Sequence, residues 1–158
     1  MSVHTSTLTP TPLPVSIHAP VLVVEDDAGI REAVTLLLED AGYAVTGMTN
    51  VADARGYLNA ASCAHVVLLD FRLPTANADT LLRAIDQEAT LQRHRFVLMP
   101  ASNVTLFSDE AQQLIAARCT QVIYKPFDVE DLLAVVEQAE AQLSAYASQR
   151  PCTLITTR

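Results

Sequence analysis

Five side chains carry the chemistry this sequence can offer: Glu25, Asp26, Asp27, Asp70 and Lys125. The three consecutive acids follow the apolar run 21–24, Asp70 follows 65–69, and Lys125 follows 121–124. Carboxylates brought together repel one another and are pushed toward protonation unless a cation neutralises them. A donor set made only of oxygens suits a hard dication, Mg²⁺ or Mn²⁺, which keeps several of its waters. Asp27 by itself is better read as a helix-start residue favoured by the macrodipole. That reading fits poorly for four acids and a lysine converging from three chain segments. Lys125 is also the only lysine in the chain, against nine arginines. Using the compact ammonium here alone points to a site that the planar guanidinium fork would not fit.

What must position these groups is legible in the apolar pattern. Residues 21–24 form a short continuous apolar run, as in a strand buried on both faces. Ile30, Ala33, Val34, Leu37, Leu38 and Ala41 follow at helical spacing, with Gly42 as a C-cap. Strands are predicted over 43–48, 65–69, 96–99 and 121–124. Helices are predicted over 51–60 (weakened by Gly56), 78–89, 108–118 capped by Ser108, and from Asp128 onward through Leu143. Strand and helix alternate five times. This predicts an α/β fold, a doubly wound five-stranded parallel sheet with helices on both faces. In such sheets chemistry gathers beyond the carboxyl ends of the strands, at the topological switch point. All five side chains fall there.

Composition bounds the rest. With 158 residues, half of them apolar, the chain can bury a core of its own. Its formal net charge is −8, so the phosphate backbone of DNA would repel it, and direct nucleic-acid binding is not expected. Cys63, Cys119 and Cys152 show no CxxC or Cys/His cluster and read as ordinary thiols. No apolar run approaches the ~18 residues a membrane span needs, and the start lacks a secretory leader, so a cytoplasmic protein is expected. Residues 1–19, rich in Pro and Thr, read as a flexible tail, residues 20–147 as the folded domain, and 148–158 as a short tail broken by Pro151.

The order and spacing of three motifs resemble a known family. Val23-Val24-Glu25-Asp26-Asp27 with Ile30-Arg31-Glu32 resembles the opening of a response-regulator receiver domain of two-component signalling. Val66-Val67-Leu68-Leu69-Asp70 with Leu73-Pro74 resembles its phosphoacceptor strand, and Lys125-Pro126-Phe127 its fifth-strand signature. The resemblance covers about residues 20–147. It implies a flavodoxin-like strand order 2-1-3-4-5. It also implies that Asp70 takes a phosphoryl group from a histidine kinase or phosphotransfer protein. Asp26, Asp70 and the backbone carbonyl of Arg72 would hold Mg²⁺, with Glu25 acting partly through water, and Lys125 would pair with Asp70 and then with a phosphoryl oxygen. The implied role is a signalling domain, not an enzyme in its own right. Output would pass by protein contact through the face formed by the fourth helix, fifth strand and fifth helix. Neither a Walker loop nor a GxGxxG turn is present to cradle a nucleotide.

The sequence also departs from the family pattern. Pro100 stands where a Thr or Ser would bond the phosphoryl group, and Val122 where an aromatic rotamer switch would sit. Tyr124 adjoins the lysine, but one step along a strand faces the other side of the sheet. The loop 102–107 is about three residues longer than usual, and Arg118-Cys119 replaces a glycine. Ser102 or Thr105 could restore a hydroxyl, although loop polarity explains both. Four readings follow: a stand-alone receiver, a pseudo-receiver that binds a partner without phosphorylation, a receiver fragment of a larger regulator, and an aspartyl-phosphate phosphohydrolase. The last is disfavoured by Arg72, which stands where a second Asp would act as general acid.

Overall fold

Each long-buried strand carries side chains for two different cores, because successive residues of a strand point to opposite faces. A computed structural model describes residues 17–147. Its strands are β1 (Val21–Val24), β2 (Val45–Met48), β3 (Val66–Leu69), β4 (Arg95–Leu98) and β5 (Cys119–Val122). They form one parallel sheet of order β2-β1-β3-β4-β5. The five helices are α1 (Ala28–Asp40), α2 (Val51–Ala60), α3 (Ala78–Gln87), α4 (Asp109–Arg118) and α5 (Val129–Ala147). Leu22, Val24, Val67, Leu69, Phe96 and Leu98 pack with Leu58, Leu81, Leu82 and Ile115 from α2, α3 and α4. Val21, Val23, Val66, Leu68, Val97 and Met99 pack with Leu38, Leu132 and Val136 from α1 and α5. The α/β parallel sheet read from the sequence is therefore the observed one, with the strand order the resemblance implied.

Helix starts follow the expected chemistry. Asp27 caps α1 by accepting the Ile30 N–H at 2.9 Å, and Ser108 caps α4 by accepting the Ala111 N–H at 3.2 Å. The ends of β2, β3, β4 and β5 differ from the sequence reading by one or two residues, and the starts of β2 and β5 shift most. Tyr43 is not in β2: Gly42, at φ 96°, ends α1 with Gly42 N–H on the Glu39 carbonyl and Tyr43 N–H on the Leu38 carbonyl. This is a Schellman closure, which uses the backbone donors a strand would need. β5 begins at Cys119 rather than 121, because a register shift opposite Phe96 and Val97 leaves Thr120 as an extra residue. Cys119 is a free thiol held protonated by burial, its pKa pushed up to about 12. Cys63 is disulfide-bonded, which corrects its reading as an ordinary thiol. Residues 1–16 and 148–158, with Cys152, lie outside the described residues. No described helix is long and apolar enough to cross a membrane.

The edge of the sheet opposite the acidic residues is held by two buried histidines. The His65 backbone N–H donates to His94 Nδ1 at 2.9 Å, which leaves the ring proton on Nε2, 3.1 Å from the Leu58 carbonyl. A second proton would have to sit on Nδ1, against an N–H. Burial, then His65, lowers the His94 pKa from 6.5 to about 4. A pKa lower in the folded chain gives stability that is full above about 6.5 and fades as pH falls toward 4. That term is worth on the order of 3 kcal/mol. Unfolding by denaturant across this range should show the loss. His94→Gln should be less stable than wild type at pH 7 and should lose much less between pH 6.5 and 4. An unchanged slope would mean that His94 is not the group responsible.

Candidate functional site

The acidic residues sit where the sheet's own hydrogen bonding carries past the strand ends. Glu25 N–H donates to the Met48 carbonyl at 3.0 Å and Asp70 N–H to the Val24 carbonyl at 2.9 Å. Both side chains therefore leave backbone that is as fixed as the sheet itself. Beyond β5, Ile123 N–H reaches the Leu98 carbonyl at 2.9 Å and Lys125 N–H the Pro100 carbonyl at 3.0 Å. The expected strand residues 121–124 are thus in ladder bonding even though β5 itself ends at Val122. Pro100 offers no hydroxyl, yet its carbonyl fixes the backbone of the lysine.

Three carboxylates meet at this edge. Oxygens of Glu25, Asp26 and Asp70 all lie within 4.8 Å of one another. Glu25 and Asp70 are buried and Asp26 is exposed. The Lys125 ammonium spans the two buried acids, in contact with Glu25 Oε2 and 3.2 Å from Asp70 Oδ1. Glu25 Oε1 accepts the Asp27 N–H at 3.1 Å. Burial raises the Glu25 pKa; Lys125 and the Asp27 N–H pull it back, while Asp70 adds to the rise. Burial likewise raises Asp70, opposed by Lys125 and reinforced by Asp26. For Lys125 burial works the other way, toward deprotonation, but the two carboxylates outweigh it and hold the ammonium charged. The donors are all oxygen, clustered and anionic, which fits a hard dication such as Mg²⁺ and no soft metal. Such an ion would relieve the repulsion that one lysine leaves among three acids.

The remaining sequence candidates fall around this cluster. Arg72 is exposed in the loop after β3, two residues beyond Asp70. Asp27 is the α1 cap, as its separate reading expected. Val122 is half-buried against the α2–α4 core and supplies no aromatic ring, and Tyr124 is 43% exposed. Thr105 is exposed and donates its hydroxyl to Asn103 Oδ1 at 3.0 Å, so it serves its own loop. Sequence reasoning missed one aromatic pair. Phe71, directly after Asp70, stacks on Phe107 with ring centroids 4.1 Å apart. Phe107 ends the short 3₁₀ turn Val104–Leu106 within the lengthened loop. The available signal was an aromatic directly after Asp70 and another at the end of the lengthened loop.

Comparison with known proteins agrees with this geometry. The sequence profile described as "Response regulator receiver domain" matches residues 21–137. Response regulator Rre1 of Synechocystis sp. is 30% identical over 125 residues, covering 78% of this chain and 52% of that protein. The DNA-binding transcriptional regulator NtrC of Escherichia coli K12 is 32% identical over 132 residues, covering 82% of this chain and 26% of that protein. The chain thus spans about half or less of the length of these relatives. Among solved structures, a CheY-like receiver domain protein from Methanospirillum hungatei JF-1 superposes with a TM-score of 0.68 at 19% identity. The match covers 82% of this chain and 98% of that one. The receiver domain of a sensor histidine kinase from Pseudomonas aeruginosa PAO1 superposes with a TM-score of 0.67 at 20% identity, covering 78% and 98%. That structure carries a magnesium ion coordinated in its active-site cleft.

The separate environments of the neighbouring acids give a direct test. Asp26→Asn should weaken Mg²⁺ binding by about tenfold or more, since a charge-assisted contact is worth ~1.5–3 kcal/mol. Asp27→Asn keeps a good helix cap and should leave binding close to wild type. Calorimetric titration of each variant decides it, and equal losses would mean that the two acids share one role.

Proposed function

The chain belongs to the response regulator receiver domain family, and on that premise we propose that Asp70 accepts a phosphoryl group from a histidine kinase or phosphotransfer protein. The observation that carries this reading is the convergence of Glu25, Asp26 and Asp70 with Lys125 on the two buried acids. In the transfer, an Asp70 oxygen attacks phosphorus as the P–N bond of a phosphohistidine breaks. The product is an acyl phosphate on Asp70 and an imidazole that regains its electron pair. Phosphoryl transfer asks the protein mainly for in-line positioning and charge neutralisation. Asp26, Asp70 and the Arg72 carbonyl would hold Mg²⁺, with Glu25 acting partly through water. When bound, the ion neutralises charge building on the phosphoryl oxygens. Lys125 keeps its contact with Glu25 and passes from Asp70 to a phosphoryl oxygen. Hydrolysis of the acyl phosphate resets the domain, so it assists its own phosphorylation and dephosphorylation without being an enzyme on another substrate.

Output is by protein contact in the cytoplasm, through the α4, β5 and α5 face, with no direct nucleic-acid contact at a net charge of −8. Pro100 and Val122 remove the hydroxyl and the aromatic flip on which the family's usual switch relies. One donor to the phosphoryl group is lost, about 1–3 kcal/mol if nothing replaces it. The Phe71–Phe107 stack supports a different route, from the residue beside Asp70 straight into loop 101–107. The helix after that loop, α4, buries only Ala111 and Ile115, so little packing resists its movement.

Treatment with acetyl phosphate and Mg²⁺ should add one phosphoryl group by intact mass, and none to Asp70→Asn. No adduct on wild type in excess Mg²⁺ would favour a pseudo-receiver. Amide exchange with and without beryllofluoride should respond most in loop 101–107. Changes confined to Val122 and α5 would reject the route through that loop. Pro100→Thr should strengthen phosphoryl retention only if the missing hydroxyl matters.

A further inference from the structure

Asp26 presents a positioning problem that its acidic neighbours do not have. Glu25 and Asp70 leave backbone that is in ladder hydrogen bonding, and both side chains are held by Lys125. Asp26 lies one residue past the last ladder bond of β1 and one before the cap of α1, and it is exposed. The aim of its carboxylate depends on how firmly the two peptide planes flanking its Cα are held, and Glu25 Oε1 holds only the second of them, through the Asp27 N–H. One side chain reaches both. Arg31, in the first turn of α1, donates from Nη1 to the Glu25 carbonyl at 2.9 Å and lies 3.4 Å from the Asp26 carbonyl. Those are the carbonyls of the peptides on either side of Asp26.

The path of the Arg31 stem depends on a second residue. Gly47 of β2 faces it, and a Cβ built there would stand 3.1 Å from Arg31 Cδ and 3.3 Å from Cγ. Those distances are tighter than ordinary contact, so a methyl at 47 would require the stem to give by a few tenths of an ångström. Gly47 adopts ordinary strand geometry, and glycine in a strand weakens it. The space it leaves for Arg31 gives a reason for a residue that the strand itself disfavours.

We infer that Arg31, with Gly47 making room for its stem, is a positioning residue that aims the Asp26 carboxylate into the divalent-cation site. The inference rests on the reading of Glu25, Asp26 and Asp70 as that site. Arg31 also brings a positive charge to the backbone on either side of Asp26. Charge alone would oppose binding of a dication, whereas a backbone clamp would favour it. The two effects have opposite signs, which makes them separable.

The test is calorimetric titration of Mg²⁺ into the full chain, paired with thermal unfolding of the same samples without metal. Arg31→Met removes a cation yet should weaken Mg²⁺ binding, on the order of tenfold, as loss of an outer-shell support does. Arg31→Lys keeps the charge without the fork and should recover only part of that affinity. Gly47→Ala changes no charge and should leave unfolding temperature equal or higher, yet it should weaken Mg²⁺ binding in the same direction. Adding Gly47→Ala to Arg31→Met should cost nothing further, because both act through one contact. Tighter binding in Arg31→Met, or wild-type affinity in Gly47→Ala, would overturn the inference and leave the cation site standing. Failure of wild type itself to bind Mg²⁺ would overturn the site reading and the inference with it.

Discussion

Two carboxylates buried side by side at adjacent strand ends would be untenable without a cation between them. Each loses hydration on burial, and each raises the cost of ionising the other. Lys125 meets that constraint by reaching both Glu25 and Asp70. The rest of the site follows from how the lysine is held. Its backbone N–H is bonded to Pro100, so the carboxyl end of β4 sets its place. One ammonium still leaves a negative excess once Asp26 joins the cluster. That excess suits the site to a hard dication.

The sheet divides the work between its two ends. At the carboxyl edge, charged groups sit on short extensions of the strands, where they can change partners. At the opposite edge, His65 and His94 tie the starts of β3 and β4 to the end of α2 with every described ring nitrogen of the pair placed against a polar partner. Burial lowers the pKa of both histidines. The strands that aim the acids thus start from a base tied by hydrogen bonds.

Much of this was legible in the sequence because burial leaves a plain signature. Val21–Val24 and Val66–Leu69 are apolar at every position, as strands covered on both faces must be, and the acids follow directly. The placement of Lys125 was legible for the same reason. The start of β2 was hidden because Tyr43 is claimed by the end of α1, a backbone closure that apolar patterning does not register. The start of β5 was hidden because Thr120 is an extra residue opposite β4, and a bulge depends on the partner strand. The Phe71–Phe107 stack and the reach of Arg31 to two carbonyls join residues through the folded chain and leave no periodicity behind.

The measurement that bears most directly on the central role of Lys125 is the unfolding free energy of Lys125→Met with and without Mg²⁺. Removing one partner from a buried charge cluster costs about 3–5 kcal/mol, discounted here because the lysine side chain is 14% exposed. The expected result is a marked loss of stability without metal, and a larger gain on adding Mg²⁺ in the variant than in wild type, because the ion takes over the neutralisation. A variant as stable as wild type, with no added response to Mg²⁺, would contradict the dependence of the site on that ammonium.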